Sequence, residues 1–369
     1  MSPDSTDATT GDVTGSQAER KITRRAFTIG GAGAIVAAHE LASSSPALAK
    51  GAPDADPEVA DAVIVGAGFT GSLIAGVLAK AGKRVVVLES GPERQVRDLV
   101  SSKIWARSLH GPYGALPGGA NPIAFGFEVG WGLGGSGTHH FALWPRLHEL
   151  DFELRTRYGR GLDWPIRYDE LRPYYDRVQR DIGVSGDSTA EVWRPPGEPY
   201  PMPPLDLQPQ ARALRRGFDA LGLRTAPMPV AINSRPYKGR PACQYVGWCS
   251  AGCAIGALGH PLVTLIPQAR RHGAQFRTRA HVLRVTTDGD RATGVEYVDA
   301  AGTRHVQRGR VVIVAAYSLE TPRILLNSGD GGVANSSGLV GRYVHPHVLL
   351  SVYGLLSERT EPHRGTVGG

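Results

Sequence analysis

Short apolar runs broken by glycine mark the start of the folded part of the chain. Residues 61–65 form one such run, and an apolar-rich stretch over residues 72–81 follows and ends before Gly82. Runs this short are typical of strands buried in a parallel sheet, and a glycine directly after a helical stretch favours a helix C-terminus. A second β-branched run at residues 84–88 ends at Glu89. The pattern therefore predicts a β-α-β unit.

Downstream, periodic segments alternate with aperiodic ones. Residues 94–145 are rich in Gly and Pro without a period, which indicates loops laid over a ligand. Apolar positions at helical spacing predict three helices, near residues 171–182, 214–221 and 263–272. Four strands are predicted near residues 280–285, 294–298, 304–307 and 311–315, the last of them fully buried. This order predicts an α/β fold.

Composition and charge narrow the classes of partner. The 369 residues are enough for two domains with a real core. The formal net charge is +7, but the Arg residues are scattered among acids and no basic run interleaves with aromatic residues. We therefore predict no nucleic-acid partner.

The N-terminal 49 residues have the order of an export signal. Arg24 and Arg25 precede an apolar, Gly/Ala-rich stretch, and small residues at positions 47–49 suit signal cleavage. The paired arginines resemble the twin-arginine signal, whose route exports folded proteins. The apolar stretch is shorter than the roughly 20 residues that span a bilayer. We predict export to the periplasm, cell envelope or exterior, and no transmembrane span in the mature chain.

A dinucleotide-binding pattern lies inside the β-α-β unit. Gly66, Gly68 and Gly71 follow the first strand in the spacing G-x-G-x-x-G and open the helix together with Thr70. These glycines allow a tight turn, backbone approach to a pyrophosphate, and close packing of helix on strand. Glu89 at the end of the second strand suits the ribose hydroxyls and repels a 2′-phosphate, which disfavours NADP. The unit alone leaves FAD and NAD open.

Five further segments resemble the glucose-methanol-choline (GMC) oxidoreductases and favour FAD. The first is the L-E-x-G turn at residues 88–91. The others match family stretches in the same order along the chain: residues 132–140 with Pro145-Arg146, 164–175, 321–328 and 335–342. The resemblance implies an FAD-binding Rossmann-like α/β domain that is discontinuous in sequence, with an incomplete substrate and cap domain.

The resemblance also assigns roles to individual residues. Gly134 and Gly135 would let the backbone lie against the isoalloxazine ring, Val282 would meet the adenine, and Ala315 stands in the turn after the last strand. His139 matches a histidine that some relatives join covalently to the flavin 8α-methyl group. The sequence leaves two roles open for it, the covalent link or a place at the flavin edge.

The same resemblance divides the chain into segments. The predicted segments are a signal peptide (1–49), a linker (50–57), a first FAD-domain part (58–150), a cap or substrate-domain segment (151–279), a second FAD-domain part (280–345) and the start of a truncated substrate domain (346–369). The catalytic histidine of the family and its His or Asn partner would lie beyond Gly369, so no catalytic residue is assigned and little activity is expected of the chain alone.

Cys243, Cys249 and Cys253 are the only cysteines, and the middle segment holds all three. The spacing leaves open free thiols, one disulfide with an odd thiol, and the ligand set of an iron–sulfur cluster like that of some sugar dehydrogenases in the family.

The function that the resemblance implies is oxidation of an alcohol, polyol or sugar hydroxyl, with FAD as hydride acceptor. The electron acceptor stays open among a cytochrome subunit, a quinone and oxygen. Two other readings remain: a non-catalytic flavin-binding or interaction protein, and an NAD-dependent reductase.

Overall fold

The fold is described from a computed structural model that covers residues 59–115, 118–120, 122, 127–346, 352–361 and 365–366. The predicted export signal and linker, residues 1–57, lie outside the described residues, as do parts of the predicted segment 346–369. Within the described ranges, no helix has both the length and the apolar character needed to cross a bilayer.

Eight strands and seven α-helices make up the regular structure of the described residues. The strands are β1 (Ala60–Val65), β2 (Val85–Leu88), β3 (His110–Ala115), β4 (Phe127–Gly130), β5 (Gln275–Arg277), β6 (His281–Asp288), β7 (Arg291–Val298) and β8 (Arg304–Val314). The helices are α1 (Phe69–Lys80), α2 (Lys103–Ala106), α3 (Leu154–Tyr158), α4 (Tyr168–Ile182), α5 (Pro209–Ala220), α6 (Leu265–Arg271) and α7 (Tyr317–Leu326).

The predicted β-α-β unit is confirmed as β1–α1–β2. Strands β1 and β2 run parallel, and α1 ends where the sequence predicts. The N–H of Gly82 donates to the carbonyl of Ala79 (2.9 Å), and that of Lys83 donates to the carbonyl of Leu78 (3.1 Å). Gly82 has φ +76°, the left-handed conformation that this C-terminal motif requires.

A six-stranded mixed sheet organises the fold, in the order β5-β2-β1-β8-β7-β6. The first four strands are parallel, whereas β7 runs antiparallel to both β8 and β6. Side chains alternate across β1: Ile64 packs with α1 and α6 on one face, and Val63 packs with β6 and α7 on the other.

Strand β8 differs from the prediction of two strands at 304–307 and 311–315. Its first part pairs with β7 and its second part pairs with β1 without a break. The sequence Arg308-Gly309-Arg310 suggests a turn, but Gly309 pairs with Ala60 and continues the strand. The position is a glycine because a Cβ there would approach Val63 Cγ2 to 2.6 Å. The residues 311–315 are half-buried and not fully buried.

Two other expectations need correction. The stretch 94–145 contains the antiparallel hairpin β3–β4 as well as loops, although its pairing is irregular and its sequence has no strand period. The boundary predicted at residue 280 lies too late, because β5 pairs with β2 inside the main sheet and α6 packs its Ile266 and Ala269 into the same core as α1.

A buried arginine joins the Pro145-Arg146 signature to the middle segment. The Arg146 side chain is inaccessible to solvent and forms an ion pair with Asp176 on α4. It also donates to the Tyr168 hydroxyl (3.0 Å) and to the Gln179 side chain. These bonds offset part of the cost of burying the charge, although Arg146 Nε and Gln179 Nε2 have no hydrogen-bond partner among the described residues. The network fixes α4 against the loop that follows the 132–140 signature.

Candidate cofactor site

A cavity of about 270 Å³ lies at the carboxyl ends of β1, β2 and β8. This edge of a parallel sheet is where α/β proteins bind their ligands. Most of the sequence-predicted cofactor residues line it together: Gly66, Gly68, Thr70, Glu89, Gly135, Val282 and Ala315.

Each of the three positions in the turn is a glycine for a different structural reason. Gly66 has φ +98°, and a Cβ there would lie 2.5 Å from the Ala315 carbonyl oxygen. A Cβ on Gly71 would lie 1.9 Å from the Gly66 oxygen, which is the close helix–strand packing that the motif predicts. A Cβ on Gly68 would meet no protein atom within 4 Å. Gly68 therefore faces open space at the N-terminus of α1, where N–H groups suit a phosphate.

The Glu89 carboxylate binds the backbone around the cavity. Its Oε2 accepts from the N–H of Ala67 (3.0 Å), and its Oε1 accepts from the N–H groups of Gly91 (2.9 Å) and Gly132 (3.2 Å). Glu89 is 6% exposed. Burial raises the pKa of Glu89 above its usual value, and the three backbone N–H bonds oppose that shift.

These contacts change the role that the sequence assigns to Glu89. A carboxylate offers about four lone-pair directions. Three are taken by the β1–α1 turn, the end of β2 and the loop before Leu133. The Ser90 hydroxyl also donates to Oε1 (3.5 Å), so the room for a ribose hydroxyl lies on Oε2. Glu89 in addition holds together the three segments that frame the cavity.

The glycine-rich loop at 130–138 contributes through Gly135 and not through Gly134. Gly135 lines the cavity, next to Ser136 and Gly137. Gly134 points away from it, because a Cβ there would lie 2.6 Å from Thr138 Cγ2 and 3.3 Å from Leu262 Cγ. The isoalloxazine contact predicted for the Gly134 backbone stays a prediction, and the φ of +94° and close packing of Gly134 explain the glycine.

His139 lies next to this loop but not on the cavity wall. Its ring stacks on His110 with 4.5 Å between centroids. Burial, followed by the neighbouring His110, lowers the pKa of His139 to about 4, so the ring is neutral at pH 7. Its buried Nε2 has no hydrogen-bond partner among the described residues. The structure thus supplies an uncharged ring nitrogen beside Gly137 and Gly111, which do line the cavity.

Two further buried histidines lie behind the loop. His140 Nδ1 accepts from the N–H of Ala142 (3.0 Å), so Nε2 carries the proton and donates to the Gly259 carbonyl (3.1 Å). Burial lowers the pKa of His140 to about 4 and that of His260 to about 3. His260 is 0% exposed, and in the described part of the chain neither of its ring nitrogens has a hydrogen-bond partner.

Several residues that line the cavity are not predicted from the sequence. Phe69, Trp131, His281, Tyr317 and Arg323 all line the cavity. Phe69 stands inside the G-x-G-x-x-G turn, and that position could have indicated it. Tyr317 follows two alanines at a position where the family usually has glycine. This departure is visible in the sequence, but it does not predict that Tyr317 contacts the cavity. Trp131, His281 and Arg323 depend on long-range packing, and no local pattern marks them.

The three cysteines share an apolar cluster, and no disulfide joins any two of them. Among the described residues there is no group of three His, Cys, Asp or Glu side chains that could hold a metal ion. The structure therefore does not support the predicted iron–sulfur site, nor the disulfide.

Sequence comparison agrees with this geometry. Residues 60–349 match the family model described as GMC oxidoreductase. The chain is 32% identical over 326 residues to the fructose dehydrogenase large subunit of Gluconobacter japonicus. This alignment covers 79% of this chain and 59% of that protein. It is also 32% identical over 338 residues to 2-methyl-1,2-propanediol dehydrogenase of Mycolicibacterium austroafricanum, covering 84% and 59%. The chain spans about three fifths of the length of these relatives.

Comparison with solved structures shows the same fold. Formate oxidase from Aspergillus oryzae RIB40 superposes with a TM-score of 0.51 over 74% of this chain and 48% of that one, at 20% identity. The predicted FAD-binding α/β fold is therefore confirmed, as a mixed sheet of the type these flavoenzymes have.

Proposed function

Since the chain belongs to the GMC oxidoreductase family, we propose that it binds FAD in this cavity and oxidises CH–OH groups of alcohols, polyols or sugars. The observation that carries the proposal is the open face of Gly68 at the N-terminus of α1, in the same cavity as Glu89, Gly135 and Val282. This arrangement suits a dinucleotide that extends from a ribose, through a pyrophosphate, to a ring system.

Each wall of the cavity has a chemical task in this proposal. The N–H groups at the start of α1 orient the pyrophosphate, and Glu89 Oε2 accepts from one ribose hydroxyl. Phe69 and Trp131 exclude water with apolar surface along the glycine-rich loop. When bound, FAD would supply the two-electron acceptor for the reaction.

The substrate class is supported by the names of relatives. Fructose and 2-methyl-1,2-propanediol, after which two relatives are named, both carry hydroxyl groups on carbon. The electron acceptor stays open among a cytochrome subunit, a quinone and oxygen.

The test is anaerobic mixing of the flavin-loaded 369-residue protein with sugars, polyols and simple alcohols while the visible flavin absorption is followed. We expect slow bleaching by members of at least one class, because hydride transfer reduces the flavin, and the rate tests the expectation that the chain alone has little activity. A protein that holds FAD but is bleached by dithionite alone, and by no member of the panel, would instead be a non-catalytic flavin-binding protein.

We further propose that His139 forms a covalent bond to the flavin 8α-methyl group. The neutral ring with an unpartnered Nε2 supports it, because an uncharged imidazole nitrogen is a nucleophile. His139 would hold the flavin through this bond and FAD would supply the methyl carbon. One hydrogen of the methyl group and one of the imidazole would leave as protons, and their two electrons would pass to the electron acceptor. After acid precipitation, flavin should stay with the wild-type protein and leave the H139A variant. Flavin released from both would assign His139 only a place beside the ring.

Export by the twin-arginine route completes the proposal. The support is Arg24-Arg25 ahead of a modestly apolar stretch and the small residues before Lys50. The double variant R24K/R25K should accumulate inside the cell as precursor, and unchanged export of that variant would rule the route out.

A further inference from the structure

Tyr317 has a backbone conformation that tyrosine rarely adopts. It opens α7 with φ +72°, in the left-handed region where a side chain is crowded by the following carbonyl. A strained residue persists only where the surrounding structure holds it, and such residues concentrate at ligand sites. Tyr317 lines the cavity and is 42% exposed, so its ring is not buried in the hydrophobic core.

The position of Tyr317 relates it to one end of the cavity. The preceding Ala315 and Ala316 lie against Gly66, so Tyr317 is close to the phosphate turn. On the other side, α7 packs against β6, where His281 and Val282 line the same cavity. Segment 280–282 in turn adjoins Glu89, because the N–H of Ala280 donates to the backbone carbonyl oxygen of Glu89 (2.9 Å).

The charged groups at this end are already engaged with one another. Arg323 Nε donates to Glu320 Oε2 (2.7 Å) one turn along α7, and both residues line the cavity. The guanidinium is thus neutralised by a carboxylate of its own helix, which leaves no net positive charge here to bind a further phosphate. An uncharged, flat group is what the aromatic ring of Tyr317 and the main chain of Val282 suit best.

On these grounds we propose that Tyr317 is a binding residue for the adenosine half of the dinucleotide, and that its left-handed backbone holds the ring over the cavity. The ring stacks on the purine, the ribose lies next to Glu89, and the pyrophosphate lies at α1. The inference rests on the proposed function, because it takes the ligand to be an adenine dinucleotide.

The test measures affinities of the full chain, freed of flavin, for FAD, ADP and FMN. The variant Y317A should lose roughly 5- to 150-fold in affinity for both FAD and ADP, the range expected when one base–aromatic stack is removed. Its affinity for FMN, which has no adenosine, should be unchanged. Y317F keeps the ring and should bind FAD and ADP like the wild type.

A matched pair of glycine variants separates the ring from the backbone. Y317G should bind ADP as weakly as Y317A but melt about 1–3 °C higher, because glycine accepts the left-handed backbone. Ala334 has φ +56°, is exposed and does not line the cavity. A334G should gain thermal stability in the same way with FAD affinity unchanged.

Equal ADP affinity in Y317A and the wild type would overturn the inference, and so would a loss of FMN affinity as large as the loss of ADP affinity. Failure of the wild type to bind either FAD or ADP would instead contradict the proposed function itself. The two failures are therefore distinguishable in one set of titrations.

Discussion

Replacing Gly68 with valine is expected to remove FAD from a protein that remains folded. Gly68 has φ −73° and ψ −164°, which any L-residue adopts, and an added Cβ would meet no protein atom within 4 Å. The new side chain would instead fill the space through which a pyrophosphate reaches the N–H groups of α1. We expect FAD affinity to fall at least about 100-fold, or roughly 2.7 kcal/mol, with little change in the free energy of unfolding of the flavin-free protein.

Two other glycines provide controls for this substitution. A Cβ on Gly217, within α5, also meets no atom within 4 Å, and Gly217 does not line the cavity, so G217V should keep both fold and FAD. A Cβ on Gly71 would lie 1.9 Å from a backbone oxygen, so G71V should fail to fold. Full FAD occupancy in a folded G68V protein would contradict the position assigned to the pyrophosphate.

Acid is expected to destabilise the protein steeply between pH 6.5 and pH 4. Burial lowers the pKa of His139 and His140 to about 4 and that of His260 to about 3, from an ordinary value of 6.5. The unfolded chain therefore binds protons in this range that the folded protein does not, and the free energy of unfolding falls as pH falls. Three such groups give at most about 4 kcal/mol per pH unit near pH 5.

Glu89 has the opposite effect on the pH dependence of the free energy of unfolding. Because burial raises its pKa, the folded state favours the protonated carboxyl, and this contribution grows as pH falls through the raised value. It offsets one of the three histidine protons at most, so the net slope keeps its sign.

Urea unfolding at a series of pH values measures the slope, which is the change in the free energy of unfolding per pH unit. His260 is 0% exposed, whereas His272 is exposed, so H260L and H272L form a matched pair. H260L should reduce the slope by about 1.4 kcal/mol per pH unit, which corresponds to one proton, and H272L controls for the loss of an exposed histidine. Equal slopes in H260L and the wild type would show that His260 titrates in the folded protein as it does in the unfolded chain.

The parts of the fold that could be predicted from the sequence are those with local causes. The β1–α1–β2 unit follows from short apolar runs, the spacing of Gly66, Gly68 and Gly71, and the glycine that ends α1. Helix α4 follows from the helical spacing of Leu171, Val178 and Ile182, although it begins three residues earlier than the apolar pattern.

The parts that could not be predicted depend on contacts between distant segments. The three-residue strand β5 has no apolar run and exists because it pairs with β2. The sequence marks Gly134 and Gly135 as equivalent, and only the neighbouring Thr138 and Leu262 show that Gly134 faces away from the cavity.

The same limit applies to the chemistry of the site. The place of Glu89 at the end of β2 could be predicted from the sequence, but its three backbone partners come from three segments that no spacing relates. The stacking of His139 on His110 likewise joins a glycine-rich loop to an irregular hairpin.

The most direct test of the central claim is an equilibrium titration of the flavin-free 369-residue protein with FAD, repeated in a large excess of NAD. The cavity assignment predicts one FAD bound per chain, quenching of flavin fluorescence on binding, and no displacement by NAD. Tight binding of NAD with no measurable binding of FAD would contradict the assignment, and would make the protein a nicotinamide-dependent member of the same α/β class.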